Sequence, residues 1–338
     1  MTRGEIIAER LPLEAGGSLE GARIVYHTSQ PCWDGRRKVI WICHALTANS
    51  DPEDWWPQMV GRGKVIDTEE NFVVCVNILG SPYGSEGPAS PGKDGRPLLL
   101  DFPRITFRDI VQAAILVRKH LGIPGIDVLI GSSVGGFQAL EWSVMEPGIA
   151  RRTLLIATAP RISPFLGATV EAQRMALEAD ASFREARDIH GGEAGLRCAR
   201  AQALISYRCF EGYGATQAEP DPDALFAARV GSYERHQGDK LVARGFDAYS
   251  YATLLDAMDS HNLGRGRGGV AAALGRISSA VTVVSIDTDM IFPSAEALQW
   301  QAFIPGATFK LINSRFGHDG FLVETARIGA ILMQLCRF

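Results

Sequence analysis

The sequence lacks the features that would tie it to a membrane or to nucleic acid. No apolar stretch approaches the ~20 residues that a transmembrane helix needs, and residues 1–10 contain acidic side chains and no apolar signal core. The 338 residues carry a formal net charge of −4 and no extended basic run, which argues against nucleic acid as a partner. We therefore expect a cytoplasmic protein that binds neither membranes nor nucleic acid.

Cysteine is scarce, and its spacing fits no metal site. The six cysteines form no C-x-x-C pair and no Cys/His pattern with metal-ligand spacing. Cys43 and Cys75 fall inside apolar runs that indicate buried strands, where a thiol is a small hydrophobic side chain. We expect no disulfide, no structural zinc and no other bound metal.

The most informative stretch runs from Ile126 to Trp142. A short apolar, β-branched run leads into Gly131-Ser-Ser-Val-Gly135 and then into a mostly apolar helical segment that ends at Pro147-Gly148. Strand, G-x-S-x-G and helix form the nucleophile elbow of the α/β-hydrolase fold. Of two neighbouring serines, only Ser133 has glycine at both −2 and +2, so Ser133 is the candidate nucleophile and Ser132 is not.

Strand and helix patterns alternate from about residue 38 to 160, which predicts a mostly parallel sheet. Helical patterns without strands then occupy residues 161–275 (171–181, 194–207, 222–230 and 247–260), and strands return at 280–285 and 308–312. We interpret this as an α/β-hydrolase fold in which a core of residues 1–160 and 276–338 carries an inserted helical lid, residues 161–275. A separate helical domain is the alternative that the returning strands disfavour.

A serine nucleophile needs a base, and the base needs an acid that orients it. In this fold the chain order is serine, acid, histidine. Two aspartates follow the strand at 280–285. Asp289 lies farther beyond the strand and is the preferred acid, while Asp287 is placed to cap the turn. His318 is the only histidine downstream and is the candidate base.

Catalysis of acyl transfer also requires donors for the developing oxyanion. The backbone N–H groups of Val134, directly after the nucleophile, and of Leu46, in the loop after the strand at 38–43, are the candidates. His44 precedes the serine in the chain, and we expect it to shape the oxyanion loop.

Longer motifs resemble the homoserine O-acetyltransferase family and span nearly the whole chain. They are His44-Ala-Leu-Thr, Val76-Asn-Ile-Leu-Gly, Tyr83-Gly-Ser-Glu-Gly-Pro-Ala-Ser90, Asp101-Phe-Pro-Arg-Ile-Thr-Phe-Arg-Asp109, Gly135-Gly-Phe-Gln-Ala-Leu-Glu-Trp142, Tyr233-Glu-Arg-His-Gln-Gly-Asp-Lys240, Leu263-Gly-Arg-Gly-Arg-Gly-Gly269 and Gly317-His-Asp319. The resemblance implies a ping-pong enzyme in which Ser133 takes an acetyl group from acetyl-CoA, a co-substrate rather than a bound cofactor. The acetyl group then passes to the hydroxyl of L-homoserine, a step of methionine synthesis.

The resemblance also implies two substrate-binding residues and a homodimer that associates through the lid helices. Arg200 matches the arginine that holds the amino-acid carboxylate, and Asp319 matches the acid that receives the α-ammonium group. The sequence departs from the family in three places: Ser81-Pro82, Tyr249 and the segment 162–171. A succinyl-CoA donor and a serine acceptor therefore remain alternatives. A serine esterase, with the same triad and water as the acceptor, is a further alternative, which Arg200 and Asp319 disfavour.

Overall fold

One eight-stranded sheet organises the described part of the chain. The computed structural model describes residues 1–226 and 228–336. The spatial strand order is β1-β2-β4-β3-β5-β6-β7-β8. The strands are β1 Thr2–Pro12, β2 Ser18–Thr28, β3 Val39–Cys43, β4 Phe72–Val76, β5 Ile126–Ser132, β6 Ala150–Ile156, β7 Ala280–Ile286 and β8 Thr308–Ile312.

The sheet is parallel from β4 to β8, as the alternating pattern predicts. Strands β1, β2 and β4 pair antiparallel, whereas β4-β3, β3-β5, β5-β6, β6-β7 and β7-β8 all pair parallel. Every residue of β3 and β4 is buried, because helices cover both faces of a parallel sheet. The carboxyl ends of β3, β5, β7 and β8 therefore meet along one edge.

Thirteen helices are present in residues 1–226 and 228–336. They are α1 Pro52–Trp55, α2 Phe107–His120, α3 Val134–Met145, α4 Pro164–Glu178, α5 Ser182–Glu185, α6 Glu193–Tyr207, α7 Phe210–Gln217, α8 Arg229–Ala243, α9 Ala248–Asp259, α10 Val270–Leu274, α11 Ser294–Gln301, α12 Gly320–Val323 and α13 Thr325–Cys336. Helices α4 to α10 all lie between β6 and β7, and we refer to residues 161–275 as the helical segment. None of the described helices is long and apolar enough to cross a membrane.

Helix α2 shows how closely local sequence sets a helix start. The hydroxyl of Thr106 accepts hydrogen bonds from the backbone of Arg108 and Asp109, and the Asp109 carboxylate accepts one from the Thr106 backbone at 2.8 Å. This reciprocal capping box satisfies amide groups that a helix start otherwise leaves unpaired. The apolar residues Ile110, Ala113, Ala114 and Val117 recur at helical spacing on one face of α2, and all four are buried.

Several elements differ from the sequence-based expectation. The helix expected at 171–181 spans Pro164–Glu178, and the short helices α1, α5 and α10 were not expected. Strand β1 was not expected, because its mostly exposed and polar residues hide the strand pattern of an edge. The helix expected at 222–230 is wrong for residues 222–226, which form turns and bends; residue 227 lies outside the described residues, and α8 begins at Arg229. Helix α7 was missed, since its eight residues include two glycines and bury only Gly212.

Candidate active site

Ser133 lies at a strained turn between β5 and α3. Its backbone has φ 55° and ψ −126°, a region that non-glycine residues rarely adopt. A Cβ on Gly131 would lie 2.3 Å from the carbonyl oxygen of Gly135, and a Cβ on Gly135 would lie 2.1 Å from that of Cys43. The turn therefore excludes any side chain at the two positions that the elbow pattern reserves for glycine.

The structure brings Ser133, His318 and Asp289 into one hydrogen-bonded chain. The Nε2 atom of His318 lies 2.9 Å from the Ser133 Oγ, and its Nδ1 lies 2.7 Å from the Asp289 Oδ2. All three residues are buried. With Nδ1–H donating to Asp289, Nε2 is left to accept the proton of the serine hydroxyl.

The two competing aspartates have different surroundings. Asp289 follows β7, and its Oδ1 accepts hydrogen bonds from the backbone N–H groups of Ile291 and Phe292, at 2.8 and 3.0 Å. Asp287 instead accepts from the Ser314 backbone at 2.9 Å and from the Asn313 side chain at 3.1 Å. Asp287 thus ties the end of β7 to the loop after β8, whereas Asp289 reaches the histidine.

Opposing effects act on the imidazole of His318. Burial lowers the pKa of His318, but the charge and hydrogen bond of Asp289, with a smaller contribution from Asp319, raise it above its ordinary value. The environment of His318 therefore favours the imidazolium form that follows proton uptake from a serine.

The two backbone N–H groups predicted to receive the oxyanion have no hydrogen-bond partner among the described residues. They belong to Val134, the first residue of α3, and to Leu46, in the loop after β3. His44 supports that loop: its ring lies 2.9 Å from the Ala45 carbonyl oxygen through Nδ1, and Nε2 accepts from the Ile78 N–H at 3.1 Å. Burial lowers the pKa of His44 to about 4, so the ring is neutral and can make both contacts.

A cavity of about 300 Å³ opens onto Ser133 and His318. Its wall combines residues after β3 and β8 with residues of the helical segment. The lining residues are Ala45, Leu46, Thr47, Ala48, Asp54, Trp55, Ser133, Arg200, Tyr207, Arg244, His318, Asp319, Phe321 and Leu322. Both predicted substrate-binding residues, Arg200 and Asp319, are among them.

Arg200 and Asp319 have different partners. The Arg200 guanidinium lies 5.7 Å from the centroid of the Tyr207 ring and makes no ion pair with the described residues. Asp319 faces a cation of the helical segment, since its Oδ2 lies 2.9 Å from the Arg208 Nε. Burial raises the pKa of Asp319, while the charges of Arg208, His318 and Arg200 act against that rise.

Sequence reasoning missed four residues of this region. Tyr207 and Arg208 follow Arg200 by two helical turns, so the i, i+7 spacing could have placed Tyr207 on the same face. Arg244 and Asp54 form an ion pair at 2.8 Å across the cavity, from opposite parts of the chain. Nothing in the sequence signals that contact, because it depends on how the helical segment packs.

No group of three metal-ligating side chains occurs in the described residues.

The elbow, the Ser–His–Asp chain and the strand order define the class of protein. A family model described as alpha/beta hydrolase fold matches residues 38–325, and the chain belongs to that class. The structure of esterase E22 covers 99% of this chain and 99% of its own at a TM-score of 0.87 and 20% identity, a likeness of fold alone.

Sequence similarity identifies the family within that class. The homoserine O-acetyltransferase of Chlorobaculum tepidum is 42% identical over 337 residues, covering 97% of this chain and 93% of the relative. The crystal structure of homoserine O-acetyltransferase from Bacillus anthracis has a TM-score of 0.89 at 21% identity, covering 99% of this chain and 97% of its own, which is again a likeness of fold alone. The chain is a member of the homoserine O-acetyltransferase family.

Proposed function

We propose that this protein transfers an acetyl group from acetyl-CoA to the hydroxyl of L-homoserine through an acetyl-Ser133 intermediate. One observation carries the proposal: the cavity that opens onto the Ser133–His318 hydrogen bond also contains Arg200 and Asp319. A guanidinium and a carboxylate in one cavity suit the two charged groups of an amino acid. Family membership supports the same acceptor.

In the first half-reaction the Ser133 Oγ attacks the thioester carbonyl while His318 Nε2 takes the hydroxyl proton. The negative charge that develops on the carbonyl oxygen is received by the N–H groups of Val134 and Leu46. When the tetrahedral intermediate collapses, the carbon–sulfur bond breaks and His318 returns the proton to the departing thiolate. Free CoA leaves, and the acetyl group stays as an ester on Ser133.

In the second half-reaction homoserine takes the place of CoA. Arg200 binds its carboxylate, Asp319 binds its α-ammonium, and the hydroxyl then points at the acetyl ester. His318 removes the hydroxyl proton as the oxygen attacks, and Asp289 stabilises the resulting imidazolium. Collapse returns the proton to the Ser133 Oγ and releases O-acetylhomoserine.

The decisive experiment follows CoA release from acetyl-CoA with and without homoserine. The proposal expects a burst of about one CoA per active site without acceptor, and sustained turnover when homoserine is added. Turnover that homoserine does not change would point to the esterase, and stimulation by serine alone to a different acceptor. If the burst and the turnover occur with succinyl-CoA but not with acetyl-CoA, the acyl donor is succinyl-CoA.

We also infer that the helical segment, residues 161–275, acts as a lid on the core formed by residues 1–160 and 276–338. Arg200, Tyr207 and Arg244 come from this segment and complete the cavity wall. The proposal includes a homodimer formed through this segment, on which Met175, Ile205 and Phe210 are exposed. Light scattering of the unaltered protein should give the molar mass of a dimer. The double variant Ile205→Asp/Phe210→Asp should give the molar mass of a monomer.

The proposed reaction is a step of methionine biosynthesis, and its substrates are metabolites of the cytoplasm. A strain that lacks its own homoserine acyltransferase needs added methionine to grow. Expression of this chain should therefore allow that strain to grow without added methionine. Growth restored by Ser133→Ala would contradict the proposal. Acetyl-CoA is the only co-substrate that the reaction needs.

A further inference from the structure

The loop that carries His318 is packed tightly against the end of α6 and the start of α7. Gly317 has φ +60°, and a Cβ there would lie 2.7 Å from the Tyr207 carbonyl oxygen. The Cys209 thiol donates to the Arg315 carbonyl oxygen at 2.9 Å, and a Cβ on Gly212 would lie 2.5 Å from the same oxygen. The helical segment thus contacts the backbone on the N-terminal side of the candidate base.

Arg208 lies at the centre of this contact and is held from two sides. Its Nε is 2.9 Å from the Asp319 Oδ2, and its Nη2 donates to the Tyr233 hydroxyl at 3.0 Å. Tyr233 belongs to α8, and its ring packs edge-on against Tyr213 of α7. The Arg208 guanidinium is therefore fixed beside Asp319 by the Asp319 carboxylate and by Tyr233 of α8, which itself packs on α7.

The contact leaves Asp319 able to bind a second cation. The Arg208 Nε–H is not aligned for a hydrogen bond, and Asp319 accepts no hydrogen bond from the residues that the structure describes. Its side chain is 18% exposed and lines the cavity next to Ser133 and His318. A carboxylate that is paired through one oxygen can still offer the other to an ammonium group.

We propose that Arg208 is a positioning residue for the acceptor step: it holds the Asp319 carboxylate in the orientation that receives the α-ammonium of the amino acid. The inference rests on the proposed function and deepens it. It also gives a role to the Tyr233 motif, which the catalytic chemistry does not use. Arg208 touches neither the serine nor the histidine, so it acts through Asp319.

Electrostatics give the same residue a second effect. The groups facing Asp319 are Arg208, His318 and Arg200, which lower its pKa, and Asp289, which raises it; burial is the largest influence and also raises it. Without Arg208 the pKa of Asp319 rises further. A protonated carboxyl does not pair with an ammonium group, so acceptor binding should then fail at a higher pH.

The test compares two acceptors in Arg208→Gln, Arg208→Lys and the unaltered protein. Homoserine and 4-hydroxybutanoate share the hydroxyl and the carboxylate, but only homoserine has the α-ammonium group. Arg208→Gln should lower kcat/KM for homoserine by about tenfold or more while 4-hydroxybutanoate changes much less, and Arg208→Lys should restore part of the preference. The acid limb of the homoserine profile should move to higher pH in Arg208→Gln.

Arg197→Gln is the matched control, because Arg197 lies on α6 in an exposed ion pair with Asp239 and should leave both acceptors unchanged. Equal losses for the two acceptors in Arg208→Gln would overturn the proposal and assign Arg208 to the fold. No loss for either acceptor would also overturn it. If Arg208→Gln fails to fold, Arg208→Lys decides by the same ratio. A failure of the proposed function would be visible separately, because homoserine would then not stimulate CoA release by the unaltered protein.

Discussion

Replacing Asp289 with asparagine tests the candidate triad at its buried carboxylate. The Oδ1 of Asp289 accepts two backbone N–H groups, at 2.8 and 3.0 Å, and its Oδ2 faces the His318 Nδ1 at 2.7 Å. In the Asp289→Asn variant the remaining side-chain oxygen must face the two backbone donors. The side-chain NH₂ group then points at Nδ1 of His318, and the imidazole must carry its proton on Nε2.

The size of the effect follows from that change of tautomer. A histidine with a proton on Nε2 cannot accept the proton of the Ser133 hydroxyl, although Ser133 and His318 stay in place. The same substitution in a Ser–His–Asp triad lowers kcat by about four powers of ten, which corresponds to about 5 kcal/mol of transition-state stabilisation. We expect a loss of that order in the acylation rate of Asp289→Asn.

The assay is the burst of CoA release from acetyl-CoA, followed over a range of pH. In the proposed mechanism the neutral form of His318 is the base, so activity should fall as the pH drops through its raised pKa. The acid limb of the residual activity in Asp289→Asn should move to lower pH, because the charge that raises the pKa of His318 is gone. Asp287→Asn is the control, since the Asp287 carboxylate accepts hydrogen bonds from Asn313 and Ser314, in the loop after β8, and makes none with His318. An acylation rate for Asp289→Asn within tenfold of the unaltered protein would refute the reasoning.

Three further predictions concern substrate binding and stability. Arg200→Ala should raise KM for homoserine about tenfold or more and that for acetyl-CoA much less, in steady-state kinetics; equal effects would make Arg200 structural. Gly135→Ala should lower the free energy of unfolding by several kcal/mol or prevent folding, since its Cβ would meet the Cys43 carbonyl oxygen at 2.1 Å. The control is Gly231→Ala on α8, where the new Cβ has open space around it. In denaturant unfolding this control should be neutral or slightly stabilising. Burial lowers the pKa of His261 to about 3, so on acidification the unfolded chain takes up this proton before the folded protein does, and stability should fall as the pH drops below about 6.5. His261→Phe should weaken this pH dependence of the melting temperature. An unchanged pH dependence would contradict the role given to His261.

Much of the sheet and of the elbow could be predicted because local sequence determines them. The apolar run of β5 and the glycines around Ser133 are both required by short-range geometry, namely a buried parallel strand and a turn without room for side chains. The start of α2 could be predicted for the same reason, since Thr106 and Asp109 bond to each other across one turn. These features depend on few distant contacts.

The rest of the site depends on contacts between distant parts of the chain. Arg208 meets Asp319 only because the end of α6 packs on the loop after β8, and Arg244 meets Asp54 across 190 positions. The strand β1 was missed because its register with β2, rather than an apolar pattern, holds it in the sheet. Sequence periodicity carries no record of such pairings.

The measurement that tests the central claim most directly is intact-protein mass spectrometry after a brief reaction with acetyl-CoA. We expect one added acetyl group, located on Ser133 by peptide fragmentation and removed when homoserine is added with formation of O-acetylhomoserine. Ser133→Ala should fold normally and take up no acetyl group. An acetyl group on Ser132 or elsewhere, or an adduct on Ser133 that homoserine does not discharge, would contradict the account.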